Sequence, residues 1–453
     1  MRHYTAILLG KLTFIITQFL HLGAGGTWPG EITLTIDPQI LKRFSSQFRK
    51  GIIIVAGTNG KTTTSLMISH LLQSQNYTIV HNNSGANLLN GIASALVKAC
   101  DWKGKIQADW GVFEVDENSL SSVIFNIKIP ILSSQVKDKK LIIVLLNLFR
   151  DQLDRYGEVD VIAEKWKNVL QAISHQSSAM RDKSDITLIL NADDPQVAYL
   201  GQTTNAKNYY FGISDPQHFL RVKEHATDST FCLHCGARLV YTGIYFSHLG
   251  IWNCAKCGLK RPLPMLTDWN SPLPGLYNKY NTLASVSVAR NLHISDEQIG
   301  NTLIQFKPAF GRQEEFDVKN KKIKLFLSKN PSGFNASLRT VLELKSSVIL
   351  IILNDRIPDG RDVSWIWDVD FETIPNEVKV IVSGERVFDL GIRLKYAFDL
   401  KNSDASRLII EPNLNIALKK GLSLTKENET LYVLPTYSAM LEVRKIITGK
   451  KIL

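Results

Sequence analysis

A chain of 453 residues, 44% hydrophobic and 21% charged, has room for roughly two to four domains with cores of their own, and its composition excludes a disordered or fibrous protein. The net charge of +11 leaves nucleic acid, an anionic membrane face or a phosphorylated substrate open as partners, because no lysine/arginine block is dense enough to choose among them. Five cysteines, four of them in paired Cys-x-x-Cys units, argue for metal binding in a reducing compartment and against a disulfide framework.

From the N-terminus, Ala6 to Leu20 is apolar but interrupted by Gly10, Lys11 and Gln18, and is too short to span a bilayer. His21–Leu22–Gly23–Ala24–Gly25–Gly26 reads as a glycine loop and not as a cleavage site, so no signal peptide is expected. The stretch reads as an amphipathic helix packed on the protein, with a membrane-surface role as the alternative. The loop Gly25–Gly26–Thr27–Trp28–Pro29–Gly30, a short strand near Ile32–Ile36 and a helix around Pro38–Phe48 are predicted to follow.

The chain is organised around the next stretch. The apolar run Ile52–Ile53–Ile54–Val55 reads as a buried strand, Ser65–Leu66–Met67–Ile68–Ser69–His70–Leu71–Leu72 reads as a helix, and Gly57–Thr58–Asn59–Gly60–Lys61–Thr62–Thr63–Thr64 joins them. A strand, a glycine-bearing turn and a helix start form a phosphate cradle. Backbone N–H groups and the helix dipole face the anion, Lys61 reaches the outer phosphates, and Thr62 holds Mg²⁺. The strict P-loop pattern has a further glycine where this chain has Val55.

Beyond it, strands are predicted at Gln107–Val115, Leu141–Leu146 and Ile186–Leu190, alternating with helical patterns. That alternation predicts a parallel sheet with helices on both faces and ligands at the carboxyl ends of its strands. Polar loops stand at three such ends: Glu114–Val115–Asp116–Glu117, then Asn147–Leu148–Phe149–Arg150–Asp151–Gln152–Leu153–Asp154, then Asn191–Ala192–Asp193–Asp194–Pro195. Each alone is explained by turn chemistry. Together, beside a P-loop, they suit a Mg²⁺ bridging phosphates.

Gly57-Thr-Asn-Gly-Lys-Thr-Thr-Thr64, the Asn147…Asp151-x-x-Asp154…Gly157 loop, Asn191-x-Asp-Asp-Pro195, Leu276-Tyr-Asn278-x-x-Asn281 and Gly311-Arg312-Gln-Glu314 resemble the Mur ligase superfamily in order and spacing. The resemblance implies ATP-dependent activation of a carboxylate as an acyl phosphate, then attack by an amine. It implies that Gly57, Thr58, Asn59, Gly60, Lys61, Thr62 and Thr63 serve the phosphates and Glu114 the Mg²⁺. Asn191, Asp194, Asn278, Asn281 and Arg312 would serve the ATP. Gln152 stands where many relatives carry a metal-binding histidine, and either Lys165 or Lys167 corresponds to the lysine that relatives carbamylate.

Cys232–Leu233–His234–Cys235 and Cys254–Ala255–Lys256–Cys257 are spaced to wrap one structural Zn²⁺ tetrahedrally. Gly236 and Gly258 allow the tight turns, and Leu239–Phe246 reads as the intervening ribbon strand. Cys100 reads as a core residue. A zinc ribbon inside a Mur ligase, behind an N-terminal segment of only about fifty residues, resembles the MurT branch. That likeness implies ATP-dependent amidation of the stem-peptide D-glutamate of lipid II at the cytoplasmic membrane face, with ammonia from a GatD-like glutaminase subunit and no nucleic acid. In the C-terminal part, Leu327–Ser328–Lys329–Asn330–Pro331–Ser332–Gly333–Phe334–Asn335 stands where amino-acid-adding ligases have an acid-plus-histidine motif. After the strand Val348–Leu353, Asp355 of Asn354–Asp355–Arg356 matches the acid that completes the partner's Cys-His dyad; a turn cap is the alternative.

The expected fold is α/β: an N-terminal segment (1–50), a P-loop ATPase domain (51–310) with a four-cysteine zinc ribbon at about 225–265, and a smaller Mur-ligase-type α/β domain (311–453). The competing functions are an amino-acid-adding Mur or folylpolyglutamate-type ligase and a zinc-ribbon nucleic-acid-binding ATPase. The expected location is cytoplasmic, peripheral to the membrane.

Overall fold

Two six-stranded sheets organise the chain. The structure, a computed structural model, describes residues 2–19, 26–82, 86–127, 139–151, 159–178, 186–308, 310–318, 320–399 and 407–449. Gln152, Asp154 and Gly157 of the second polar loop lie outside the described residues.

Three helices come first: α1 (Arg2–Phe19), α2 (Trp28–Ile36) and α3 (Ile40–Ser45). Residues 32–36 are therefore helical, not the strand that their alternating Ile-Thr-Leu-Thr-Ile pattern predicts. Tertiary packing overrides the β-branched propensity here. Pro29 and Glu31 favour a helix start, and Gly30 lets the helix lie so close to the later helix Leu89–Ala99 that a Cβ would fall 1.8 Å from Asn90 O.

The central sheet is built from β1 (Gly51–Ala56), β2 (Ile79–His81), β3 (Trp110–Val115), β4 (Lys140–Leu145), β5 (Ile186–Asn191) and β6 (Lys207–Phe211). Their order is β2-β3-β1-β4-β5-β6, and every pairing is parallel. Alternate residues of β1 feed different cores: Ile52, Ile54 and Ala56 enter one, Ile53 and Val55 the other. A strand covered on both faces reads as an unbroken apolar run, as β1 does. The intervening helices are α4 (Lys61–Ser74), α5 (Leu89–Ala99), α6 (Leu120–Asn126), α7 (Val159–Ser178) and α8 (Pro195–Gln202).

The cysteine-bearing insertion holds the antiparallel hairpin β7 (Val240–Phe246) and β8 (Leu249–Asn253). It is pinned to the end of β5, where Trp252 Nε1 donates to Ala192 O (3.1 Å) and Gly250 N to Asp193 O (3.0 Å). Helices α9 (Leu276–Asn291) and α10 (Asp296–Ile304) return the chain to the central sheet.

The second sheet comprises β9 (Arg312–Val318), β10 (Lys321–Phe326), β11 (Val348–Ile352), β12 (Lys379–Ser383), β13 (Leu408–Ile410) and β14 (Thr430–Pro435). Its order is β13-β12-β11-β14-β10-β9, with only the edge strand β9 antiparallel. Helices α11 (Pro331–Glu343), α12 (Val387–Ala397), α13 (Leu414–Leu424) and α14 (Tyr437–Thr448) complete this half.

Candidate active site

β1 ends at Ala56, and the turn to α4 uses Gly57 (φ 145°) and Gly60 (φ 92°) in backbone conformations open to glycine. Gly60 caps α4 without a side chain, so no side-chain acceptor covers the first helical N–H groups. A Cβ at Gly60 would also fall 2.1 Å from Asn281 Oδ1. These features leave a backbone concavity that fits an anion. Thr63 and Asn59 join Asn278, Asn281 and Arg312 around a cleft beside it.

The polar loops hold this turn from below. Asn59 N donates to Asn147 Oδ1 (2.8 Å), and Asn147 Nδ2 returns a bond to Asn59 O (3.0 Å). Thr58 Oγ1 donates to Phe149 O and accepts from Phe149 N. Asn191 and Asp194 sit one layer further back: Asn191 Nδ2 donates to Leu146 O, and Asp194 Oδ2 accepts from Leu148 N at 2.8 Å while Oδ1 caps α8. Both are fully buried. Their contacts brace the β4 loop, which in turn braces the P-loop.

Lys61 is not the solvent-facing charge that its position on a cradle suggests. It is 6% exposed, and its ammonium donates to Gly57 O (2.6 Å), Thr58 O (3.0 Å) and Glu117 Oε2 (3.0 Å). Burial works to raise the Glu117 carboxyl, but Lys61 and Lys329 outweigh it and hold Glu117 below the usual range. Burial, with Glu117 adding, raises Asp116 above it. Asp151 is raised too, by burial against the opposing pull of Lys329. Glu114 is buried at the end of β3, in register with Val55 of β1, with Asn87 Nδ2 at 3.5 Å from its carboxylate.

The second sheet closes the site from above. Lys329 pairs with Asp151, and the Asn330 and Asn59 amides bond each other at 3.1 and 3.3 Å. Asn330 also caps α11 through Gly333 N (2.8 Å), so two helix starts, α4 and α11, converge on one point. Burial lowers the affinity of Lys329 for its proton, but Asp151 and Glu117 more than offset this and keep it charged. At the cleft's other end Gln313 has a left-handed backbone (φ 62°). Its Nε2 donates to Pro274 O (2.9 Å) and to the Tyr277 hydroxyl (2.6 Å). Its Oε1 is buried with no partner among the described residues. A strained residue with an unsatisfied acceptor fits an incoming donor group.

A Mur ligase middle-domain model matches residues 55–289, and a MurT ligase C-terminal model matches residues 327–440. The chain is 34% identical over 418 residues to the lipid II isoglutaminyl synthase (glutamine-hydrolyzing) subunit MurT of Staphylococcus aureus, covering 88% of each. It is 31% identical to the Streptococcus pneumoniae subunit of the same name, covering 98% of this chain and 97% of that one. The chain belongs to the MurT family of Mur ligases. In fold it is similar to a pseudomurein peptide ligase type C from Methanothermus fervidus (TM-score 0.64, 21% identity, 90% of this chain and 80% of that one). It is also similar to a Mycobacterium tuberculosis folylpolyglutamate synthase (TM-score 0.57, 13% identity, 91% and 95%).

Further groups singled out in the sequence lie around this core. Cys232, Cys235, Cys254 and Cys257 bring their sulfurs within 4.8 Å of one another. Gly236 and Gly258 follow with φ of 69° and 76° in open space, so conformation and not crowding requires glycine there. Four sulfurs so gathered fit a tetrahedral soft-metal shell. Asp355, just after β11, has no contact with the cradle residues: its partner is Arg386 at 2.9 Å, and it is 30% exposed. Lys165 reaches Asn118 Oδ1 (2.8 Å) on the acidic loop after β3, whereas Lys167 stays in a surface pair with Glu164. Sequence reasoning grouped Glu117 with the acids suited to Mg²⁺, not with Lys61, and assigned no role to Lys329, Asn330 or Gln313. Lys329 and Asn330 stood inside a motif noted for what it lacked, and only the folded domains show what they reach.

Proposed function

We propose that this chain is the ATP-using subunit of a two-subunit amidotransferase that converts the α-carboxyl of D-glutamate in the lipid II stem peptide to the amide. The carboxylate attacks the γ-phosphorus of ATP, giving an acyl phosphate and ADP. Ammonia then attacks the acyl carbon, the C–O bond to phosphate breaks, and inorganic phosphate leaves as the nitrogen loses a proton. The observation that carries the reading is the closure of a glycine-built phosphate cradle by Lys329 and Asn330 of a MurT-type C-terminal domain.

In this reading Gly57 to Thr63 bind the phosphates and Lys61 neutralises developing negative charge. Thr62 and Glu114 would hold a Mg²⁺, which would supply positive charge to the phosphates. Asn278, Asn281, Arg312 and Gln313 bind the nucleoside end, with the Gln313 acceptor taking an exocyclic amine. Asn191 and Asp194 act by bracing. The four cysteines hold a structural zinc that stiffens the insertion. A GatD-like glutaminase partner supplies the ammonia, docked where Asp355 orients its histidine. The substrate places the chain at the cytoplasmic face of the membrane.

Mass spectrometry of the muropeptide tests the reaction. With ATP and ammonium, the expected product carries NH₂ in place of OH on one carboxyl. An unchanged muropeptide alongside nucleic-acid-stimulated ATP hydrolysis would overturn it.

A further inference from the structure

Helix α1 is built with its large apolar side chains outward. Its buried residues are Ala6, Ile7, Gly10 and Thr17, and a Cβ at Gly10 would fall 2.3 Å from Thr33 Oγ1, so the packed face is the small one. Tyr4, Leu8, Leu12, Ile15, Ile16 and Phe19 are instead 40% to 81% exposed. At 3.6 residues per turn they fall on one stripe about 120° wide. A stripe of this kind normally marks the core side of a helix, and here it faces away from the core.

The rim has a consistent character. The helix contains no acidic residue. Lys11 lies over the ring of Trp102 (5.4 Å to the centroid) and Lys98 over that of Phe14 (5.3 Å). Trp102 and Trp28 are 59% and 71% exposed. The nearby acids are engaged: Asp101 by the backbone N–H groups of Lys103 and Lys105, Asp37 by His3 and Arg43, and Glu31 by Asn90 Nδ2. An apolar stripe edged by Lys11 and Trp102 suits the boundary between acyl chains and anionic headgroups. No described helix is long and apolar enough to cross a membrane, so α1 would lie in the interface and not span it.

We propose that the outward face of α1, with Lys11 and Trp102 at its rim, docks on an anionic lipid bilayer. This rests on the reading of a lipid-linked substrate, and it gives the catalytic subunit a membrane contact independent of that substrate.

Co-sedimentation of the full chain with vesicles of phosphatidylglycerol and phosphatidylcholine tests it, with pure phosphatidylcholine as the comparison. Wild type should pellet with the anionic vesicles and be released by salt. Leu12→Glu/Ile16→Glu, which changes only exposed positions, should weaken partitioning roughly a hundredfold. ATP turnover on a lipid-free muropeptide with ammonium should stay at wild-type level, which shows that the variant folds. The proposal falls if wild type ignores anionic vesicles or the variant binds them equally well. It also falls if the variant splits a wild-type dimer, which assigns the face to a second copy, or if saturating glutaminase subunit prevents vesicle binding, which assigns it to that partner. Amidation without vesicle binding refutes the docking face alone; vesicle binding without amidation refutes the proposed reaction alone.

Discussion

The two sheets each send a helix start to the same point, but they cap those helices differently. At the end of β1, Gly60 caps α4 with no side chain and leaves backbone N–H groups for an anion. At the end of β10, Asn330 satisfies α11 itself through Gly333 N and uses its amide to grip Asn59. The central sheet thus offers a site made of backbone, preformed by bracing loops. The second sheet delivers side chains, Lys329 and Asn330, across a domain junction. A backbone site is rigid and unspecific, while a side chain carried on another domain is present only when the domains meet.

The largest effect should come from breaking the cradle. Lys61→Ala should reduce ATP turnover to background. It should also destabilise the chain by about 3 kcal/mol, because Glu117 is left buried without its nearest cation. Adding Glu117→Gln should restore most of the melting temperature without restoring turnover. A Lys61→Ala protein that hydrolyses ATP would remove the cradle from the chemistry.

The second sheet's outlying acid separates ammonia supply from ligation. Asp355→Asn should lower glutamine-driven amidation by roughly 10³-fold or more, since an amide does not stabilise an imidazolium as a carboxylate does. Ammonium-driven amidation should persist. Equal loss of both rates would make Asp355 and its Arg386 pair a structural feature of this domain.

Lys329→Ala tests the junction. Expected is a fall in kcat of about 10²-fold with nucleotide affinity held within a few-fold, because the cradle stays intact. A loss of ATP binding matching that of Lys61→Ala would erase the distinction between the two halves.

A last effect touches stability and not turnover: a pH dependence carried by a residue of the central sheet. Burial depresses His81, at the end of β2, from 6.5 to about 4. The unfolded chain then binds more protons than the folded one between those values, so stability rises with pH across that window and is lost as pH falls through it. The contribution is about 3 kcal/mol. Denaturant titrations of wild type and His81→Gln from pH 4 to 7 should show a shallower slope in the variant; parallel curves would contradict it.

Much of this protein was readable in order along the chain. Buried parallel strands such as β1 are unbroken apolar runs, the P-loop needs glycine at Gly57 and Gly60 for conformational reasons, and the two Cys-x-x-Cys units carry their spacing with them. These are local properties, and local physics is written in neighbouring residues. Ile32–Ile36 of α2 reads as a strand because its alternation is local while the packing partners of that helix, α1 and α5, are distant in sequence. The same cause hid the rest. Lys61 is buried by Glu117 fifty-six positions away, and Lys329 meets Asp151 across 178 positions. An outward apolar stripe on α1 looks like any amphipathic helix until the structure shows which face is covered. Which charge meets which, and which face stays exposed, depends on where two sheets come to rest against each other, and only the tertiary structure decides that.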